Sequence, residues 1–261
     1  LPSKIIWKFR LFSRNLVPTP LVWEAALEIM EHVSEFLREF KDCPGIIWKG
    51  EGEQQDALGL INNWSQYMRD LMIELFNSFV YGNLISVSAM TRTLIESYLY
   101  LRILLKENSG RLLGEWFLCS LLTGKKFEEE DRKKIYDIME NICLKYGMDA
   151  EDCRTRFEKG RENDWLTEVI GKRRISIRDL CEYLGEDDVL RDYKSACSYV
   201  HAQDIVTKIM PFTFYSSIYH KLYMMMTYIF RTVSLYPVSD EQRKKMEALE
   251  AELIDLAEKY I

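Results

Sequence analysis

The chain has 261 residues, 48% apolar and 29% charged, a balance that suits a globular protein with one sizeable core or two small ones. A formal charge of -6 argues against whole-molecule attraction to nucleic acid, although it leaves room for a local basic patch. Six prolines and twelve glycines are few for this length, which disfavours turn-rich strand architectures and points to an all-α fold.

Cys43, Cys119, Cys143, Cys153, Cys181 and Cys197 show no C-x-x-C spacing, and no histidine stands close enough to complete a zinc signature. They read as reduced, mostly buried thiols of a cytoplasmic protein, and no cofactor or metal is expected. A first residue of Leu1 reads as the start of a fragment. In the stretch Lys4–Phe12, Lys8 and Arg10 interrupt the apolar run, so a helix docking Ile5, Phe9 and Phe12 on the body is expected rather than a membrane anchor. Leu222–Phe230 is too short to span a bilayer, and no membrane segment is expected.

Val17-Pro18-Thr19-Pro20 is the first punctuation, with Thr19 suited to cap a helix and Pro20 to its first turn. Leu21, Ala25, Ile29, Val33, Phe36, Leu37 and Phe40 then recur at helical spacing, with His32 reading as a surface histidine beside Glu31 and Glu35. A second helix is expected over 54–80, with Trp64, Tyr67, Met68, Leu71 and Phe79 on its apolar face. A third, over about 84–106, is apolar almost all round, as a central helix is. Shorter helices follow over 111–122, 128–146 and from Asp149, and Trp165–Ile170 leads on to Gly171. The basic run Lys172-Arg173-Arg174 comes next, ahead of a Ser176/Asp179 capping box that opens a helix through Leu184. The helix bearing His201, a restart at Pro211 and a last helix opened by Ser239 and Gln242 complete the order. Met224-Met225-Met226 reads as adaptable core filler. The absence of a Pro/Ser-rich linker predicts one domain over 1–261. Its body would span about 54–228, with the helices of 1–50 and 239–261 packed on it.

Ser88, Arg92 and Glu96, spaced four apart, line one stripe of the central helix. Lys194, Ser198 and His201 line a stripe of the later helix, with Tyr193 and Cys197 on the neighbouring one. If the two helices pack, Glu96 is placed to accept a proton from His201 while Arg92 holds an anion beside them. Two readings stay open: a hydrogen-bonded clasp that fixes helix register, and a catalytic or ligand-binding site. His220 attracts no role.

The run Ala89-Met90-Thr91-Arg92-Thr93-Leu94-Ile95-Glu96 resembles the R-x-x-x-E helix of a bacterial domain-of-unknown-function family, numbered 5677. So does the later order of Trp165, the basic turn, and Tyr193, Ser198 and His201 in a Y-x-x-x-x-S-x-x-H pattern. The chain is more distantly similar to HEPN proteins, all-helical RNases and nucleotide-binding proteins of bacterial toxin and phage-defence systems. Their arginine stands four to six residues before a histidine, whereas Arg191 lies too far upstream of His201 and Lys194 is not an arginine.

That resemblance implies a metal-independent RNase or toxin-type effector. In it His201 would act on a ribose 2′-hydroxyl with Ser198 beside it, and Arg92 would stabilise the phosphorane. Glu96 would orient His201, while Lys172, Arg173, Arg174 and Lys194 held RNA. The alternative is a non-catalytic helical module that senses or scaffolds a protein partner, a second copy of the chain included.

Overall fold

The computed structural model describes the backbone of residues 20–40, 43–47, 54–81, 83–200 and 211–260. It describes the side chains of residues 28–40, 43–47, 60–81, 83, 85–197 and 221–255. In order, the helices are α1 (Pro20–Phe40), α2 (Gln54–Val80), α3 (Leu84–Glu107), α4 (Gly110–Leu122), α5 (Glu129–Lys145) and α6 (Ala150–Glu158). After a 3-10 turn (Asp164–Leu166) come α7 (Thr167–Ile170), α8 (Ile177–Leu184), α9 (Asp187–Val200), α10 (Pro211–Val233) and α11 (Asp240–Tyr260). No strand occurs among the described residues, and the all-α expectation holds.

Capping chemistry sets many of these boundaries. The Ser109 hydroxyl accepts from the amide of Leu112 at 3.3 Å to open α4, and the Asp149 carboxylate accepts from that of Asp152 at 2.7 Å to open α6. Ser176 and Asp179 form the expected capping box of α8, and Ser239 and Gln242 bond reciprocally at 2.9 and 3.2 Å to open α11. Helix α5 begins with Glu129, Glu130 and Asp131, which complement its positive end. Helices α7 and α8 each end at a glycine in the left-handed region, Gly171 and Gly185, both at φ 72°, a conformation that a side chain would strain.

The chain forms two compact units. The first takes residues up to Ile47, Asn62–Tyr98 and those from Arg191 onward; the second takes Trp48–Ile61 and Leu99–Leu190. In the first, α1 packs along α11, with Ile29, Met30, Val33, Phe36, Leu37, Met246, Leu249 and Leu253 buried. His32 Nδ1 lies 2.9 Å from Glu252 at the rim, and Lys245 donates to Glu39 at 2.7 Å. The Phe40 and Tyr236 rings meet edge to face at 4.9 Å, and the Arg69 guanidinium sits over both while donating to the carbonyls of Cys43 and Pro44. Met224, Met225 and Met226 are buried, as core filler should be.

In the second unit, α4 packs on α6 and the 3-10 turn around Trp165, Phe157 and Leu166. The Tyr100 ring meets Trp165 edge to face, and its hydroxyl donates to Asn163 at 2.7 Å. Glu115 is 2% exposed, and its carboxylate is held by Arg111 at 3.3 Å and Arg156 at 3.1 Å. Those two arginines also reach Glu168, which leaves a charge-balanced network.

All six cysteines are unbridged, five of them buried and Cys197 half-buried. Burial pushes the thiols of Cys153 and Cys181 up to about 12 and about 11, which leaves them poor nucleophiles. No helix among the described residues is long and apolar enough to cross a membrane. The stretch Lys4–Phe12 lies outside the described residues.

Candidate functional site

The four-residue spacing of Ser88, Arg92 and Glu96 places them on one face of α3 inside the first unit, and each finds a polar partner there. At the Glu96 end the partner is Tyr193, from the first half of α9. Glu96 Oε1 accepts from Arg92 Nε at 3.1 Å and from the Tyr193 hydroxyl at 2.6 Å. Arg92 Nε also lies 3.2 Å from that hydroxyl, and its guanidinium carbon stands 5.5 Å from the Tyr193 ring centre.

At the other end of the stripe Lys221, from α10, donates to the Ser88 hydroxyl; both side chains are buried. Asp192, the residue before Tyr193 on α9, is buried and accepts from the Tyr228 hydroxyl at 3.0 Å.

Electrostatics fix the protonation states in the cluster. Burial, and then the Glu96 carboxylate, push the Tyr193 phenol far above its ordinary pKa, so it stays a donor. Burial works against the Arg92 charge, but Glu96 and the Tyr193 oxygen outweigh it and raise its pKa further. Both effects hold Arg92 as a cation and Tyr193 as a neutral donor. The side chains of Arg92 and Glu96 are 33% and 26% exposed, so the cluster is open at one side.

Arg92 is engaged through Nε only. Neither of its terminal nitrogens bonds another described residue, so the planar outer edge of the guanidinium keeps its donors. That edge is the part of an arginine that grips a carboxylate or phosphate with two parallel bonds.

Among the site residues expected from sequence, Arg92 and Glu96 come together as an intrahelical pair. Ser198 lies on the last turn of α9 with its side chain outside the described residues, and His201 lies outside them altogether. Lys194 is exposed beside Tyr193. Lys172, Arg173 and Arg174 belong to the second unit and are all exposed.

Lys172 is already engaged by Asp179, with Glu182 at 3.9 Å, and those groups raise its pKa. The same lysine, with Ser176, holds the Asp179 carboxylate down to about 2. Arg173 and Arg174 form no ion pair among the described residues, nor does Arg178, the second residue of α8. Among the described residues no three His, Cys, Asp or Glu side chains stand together as a metal set.

Sequence reasoning missed Tyr193 as the partner that closes the clasp, and Lys221 as the partner of Ser88. The Y-x-x-x-x-S-x-x-H pattern contained Tyr193, but the rotation of α9 about its axis decides which stripe faces α3. Tyr67, read into the apolar face of α2, is 48% exposed.

The family model described as "Family of unknown function (DUF5677)" matches residues 60–208, more than half of the chain. The matched span contains Arg92, Glu96, Trp165, the basic turn, Tyr193, Ser198 and His201. No curated protein and no solved structure matches the chain.

Proposed function

The chain belongs to the family of unknown function DUF5677, and from its site we propose that Arg92 holds a backbone phosphate of RNA. One observation carries this reading: Glu96 and Tyr193 fix the guanidinium through Nε, and no described residue takes its terminal nitrogens at this partly exposed position. An arginine held in that way loses little freedom on gripping a phosphate, which is how backbone contacts gain affinity. Lys194, exposed on the same helix as Tyr193, adds positive charge nearby. In the second unit Arg173 and Arg174 carry the same role separately, while Lys172 is partly neutralised by Asp179.

In its enzymatic form the proposal is a HEPN-like, metal-independent RNase of a bacterial toxin or phage-defence system. His201 takes the proton of a ribose 2′-hydroxyl, whose oxygen attacks the adjacent phosphorus. Arg92 stabilises the phosphorane, and the 5′-oxygen leaves as a cyclic phosphate forms. Glu96 positions Arg92 and His201, and Ser198 supplies a hydroxyl.

A second reading is a non-catalytic scaffold for a protein partner, with the cluster as a clasp between α3 and α9. It is favoured by the way Arg92, Glu96 and Tyr193 satisfy one another.

Fluorescence anisotropy with labelled single-stranded RNA separates the two. Under the RNA reading Arg92→Ala weakens binding by about tenfold or more, and Arg92→Lys recovers only part of it. Incubation with chelator and with His201→Ala then tests cleavage, which should survive the first and vanish with the second. A parent protein that binds no RNA, with an Arg92→Ala variant that only melts earlier, selects the clasp.

A further inference from the structure

We infer that Glu96 is the residue that tells RNA from DNA at this site: its second carboxylate oxygen accepts from the ribose 2′-hydroxyl next to the phosphate that Arg92 holds. The inference rests on the RNA reading and names what selects the sugar.

The helix itself places the two groups together. Arg92 and Glu96 stand one turn apart on α3 and meet at 3.1 Å through Nε and Oε1. Oε1 also accepts from the Tyr193 hydroxyl at 2.6 Å, so both bonds to this carboxylate end on one oxygen. No described residue takes Oε2. Arg92 shows the same asymmetry, since Glu96 and Tyr193 both lie at Nε and no described residue takes the terminal nitrogens.

Neither outer edge is buried. The buried side-chain atoms without a partner are Arg69 Nε, Thr91 Oγ1, the Tyr146 hydroxyl, Arg156 Nε and Thr232 Oγ1; no atom of Arg92 or Glu96 is among them. The partial exposure of both side chains agrees with this. Oε2 is bonded to the same carbon as Oε1, and the terminal nitrogens to the same carbon as Nε. The outer acceptor and the outer donors therefore flank a single 3.1 Å contact.

An arginine alone grips the phosphates of RNA and DNA alike, because phosphate contacts carry no sugar information. A carboxylate beside it repels the phosphate, and that cost is offset only when the ligand donates a hydrogen bond to the carboxylate. An ionised carboxylate offers acceptors and no donor. Within a nucleic-acid backbone the donor next to a phosphate is the ribose 2′-hydroxyl, which RNA carries and DNA lacks.

The test measures the affinity of parent, Glu96→Gln and Arg92→Ala for three labelled single strands of one sequence: RNA, 2′-O-methyl RNA and DNA. The methylated strand keeps the sugar oxygen but has no proton to donate. The parent should bind RNA about tenfold more tightly than either of the others, as one hydrogen bond to a charged acceptor allows. Glutamine keeps an oxygen for Arg92 and Tyr193 but presents an amide N–H in place of Oε2, and that group bonds a hydroxyl and a methoxy oxygen alike. Glu96→Gln should therefore bring RNA and 2′-O-methyl RNA to within about twofold of each other. Arg92→Ala should weaken all three strands. Equal binding of the three by the parent refutes the role of Glu96 and leaves the phosphate reading standing. That comparison needs no variant, so it decides even where Glu96→Gln fails to fold. An RNA preference that Glu96→Gln retains puts sugar recognition elsewhere and also refutes the role. A parent that binds none of the strands overturns both readings.

Discussion

Replacing Glu96 by alanine removes the one oxygen that accepts from both Arg92 and Tyr193. The ion pair with Arg92, four residues away on the same helix and partly exposed, contributes only about 0.3–0.5 kcal/mol. The larger loss is at the phenol, which sits 2.6 Å from a charged acceptor and is half-buried. A hydrogen bond to a charged group contributes about 1.5–3 kcal/mol, and the 26% exposure of Glu96 argues for the lower half of that range. Glu96→Ala should therefore destabilise by about 2–3 kcal/mol.

Tyr193→Phe removes the same bond from its donor side and should cost about 1 kcal/mol. Because both variants delete one shared interaction, the double variant should fall short of their sum by about 1 kcal/mol. Urea unfolding followed by far-ultraviolet circular dichroism reads all four corners of the cycle. Strict additivity, or a Glu96→Ala effect within about 0.5 kcal/mol of zero, would refute the clasp geometry.

Two further outcomes follow from the charge pattern. Glu115→Gln leaves Arg156 facing a neutral amide in the second unit and should cost about 3 kcal/mol, measured by the same unfolding assay; a loss below about 1 kcal/mol would mean that the network is solvated. The His32 pKa is raised, chiefly by its hydrogen bond to Glu252, so the pair stabilises the α1–α11 contact fully below the ordinary histidine pKa of about 6.5. That contribution fades as pH rises through the raised value. The parent should lose about 0.2–1 kcal/mol relative to His32→Ala between pH 5.5 and pH 8 on an order-of-magnitude basis, and parallel pH profiles would contradict the pairing.

Helices were legible where local chemistry settles them. The Ser176/Asp179 and Ser239/Gln242 boxes and the Asp149 cap each carry their own signal within four residues. The core of α3 was legible from its composition, although Ile85 near its start is 63% exposed because one apolar residue beside a turn need not find a neighbour.

The candidate site was legible only in part. The stripe of Ser88, Arg92 and Glu96 follows from period alone. Which residues of α9 and α10 meet that stripe depends on helix rotation and long-range packing, for which a single sequence holds no local signal. Tyr193 and Lys221 therefore emerged only in three dimensions. Tyr67 shows the same ambiguity from the other side, because a residue at the edge of an apolar stripe can lie in or out of the core.

The most direct test of the account is the salt dependence of RNA binding by the parent and by Arg92→Ala. Each phosphate contact on a single strand contributes about -0.7 to the slope of log affinity against log salt. The account predicts that Arg92→Ala binds more weakly at every salt concentration, with a slope shallower by about one such contact and an unaltered circular dichroism spectrum. Equal affinities and equal slopes would contradict it, because Arg92 would then touch no phosphate.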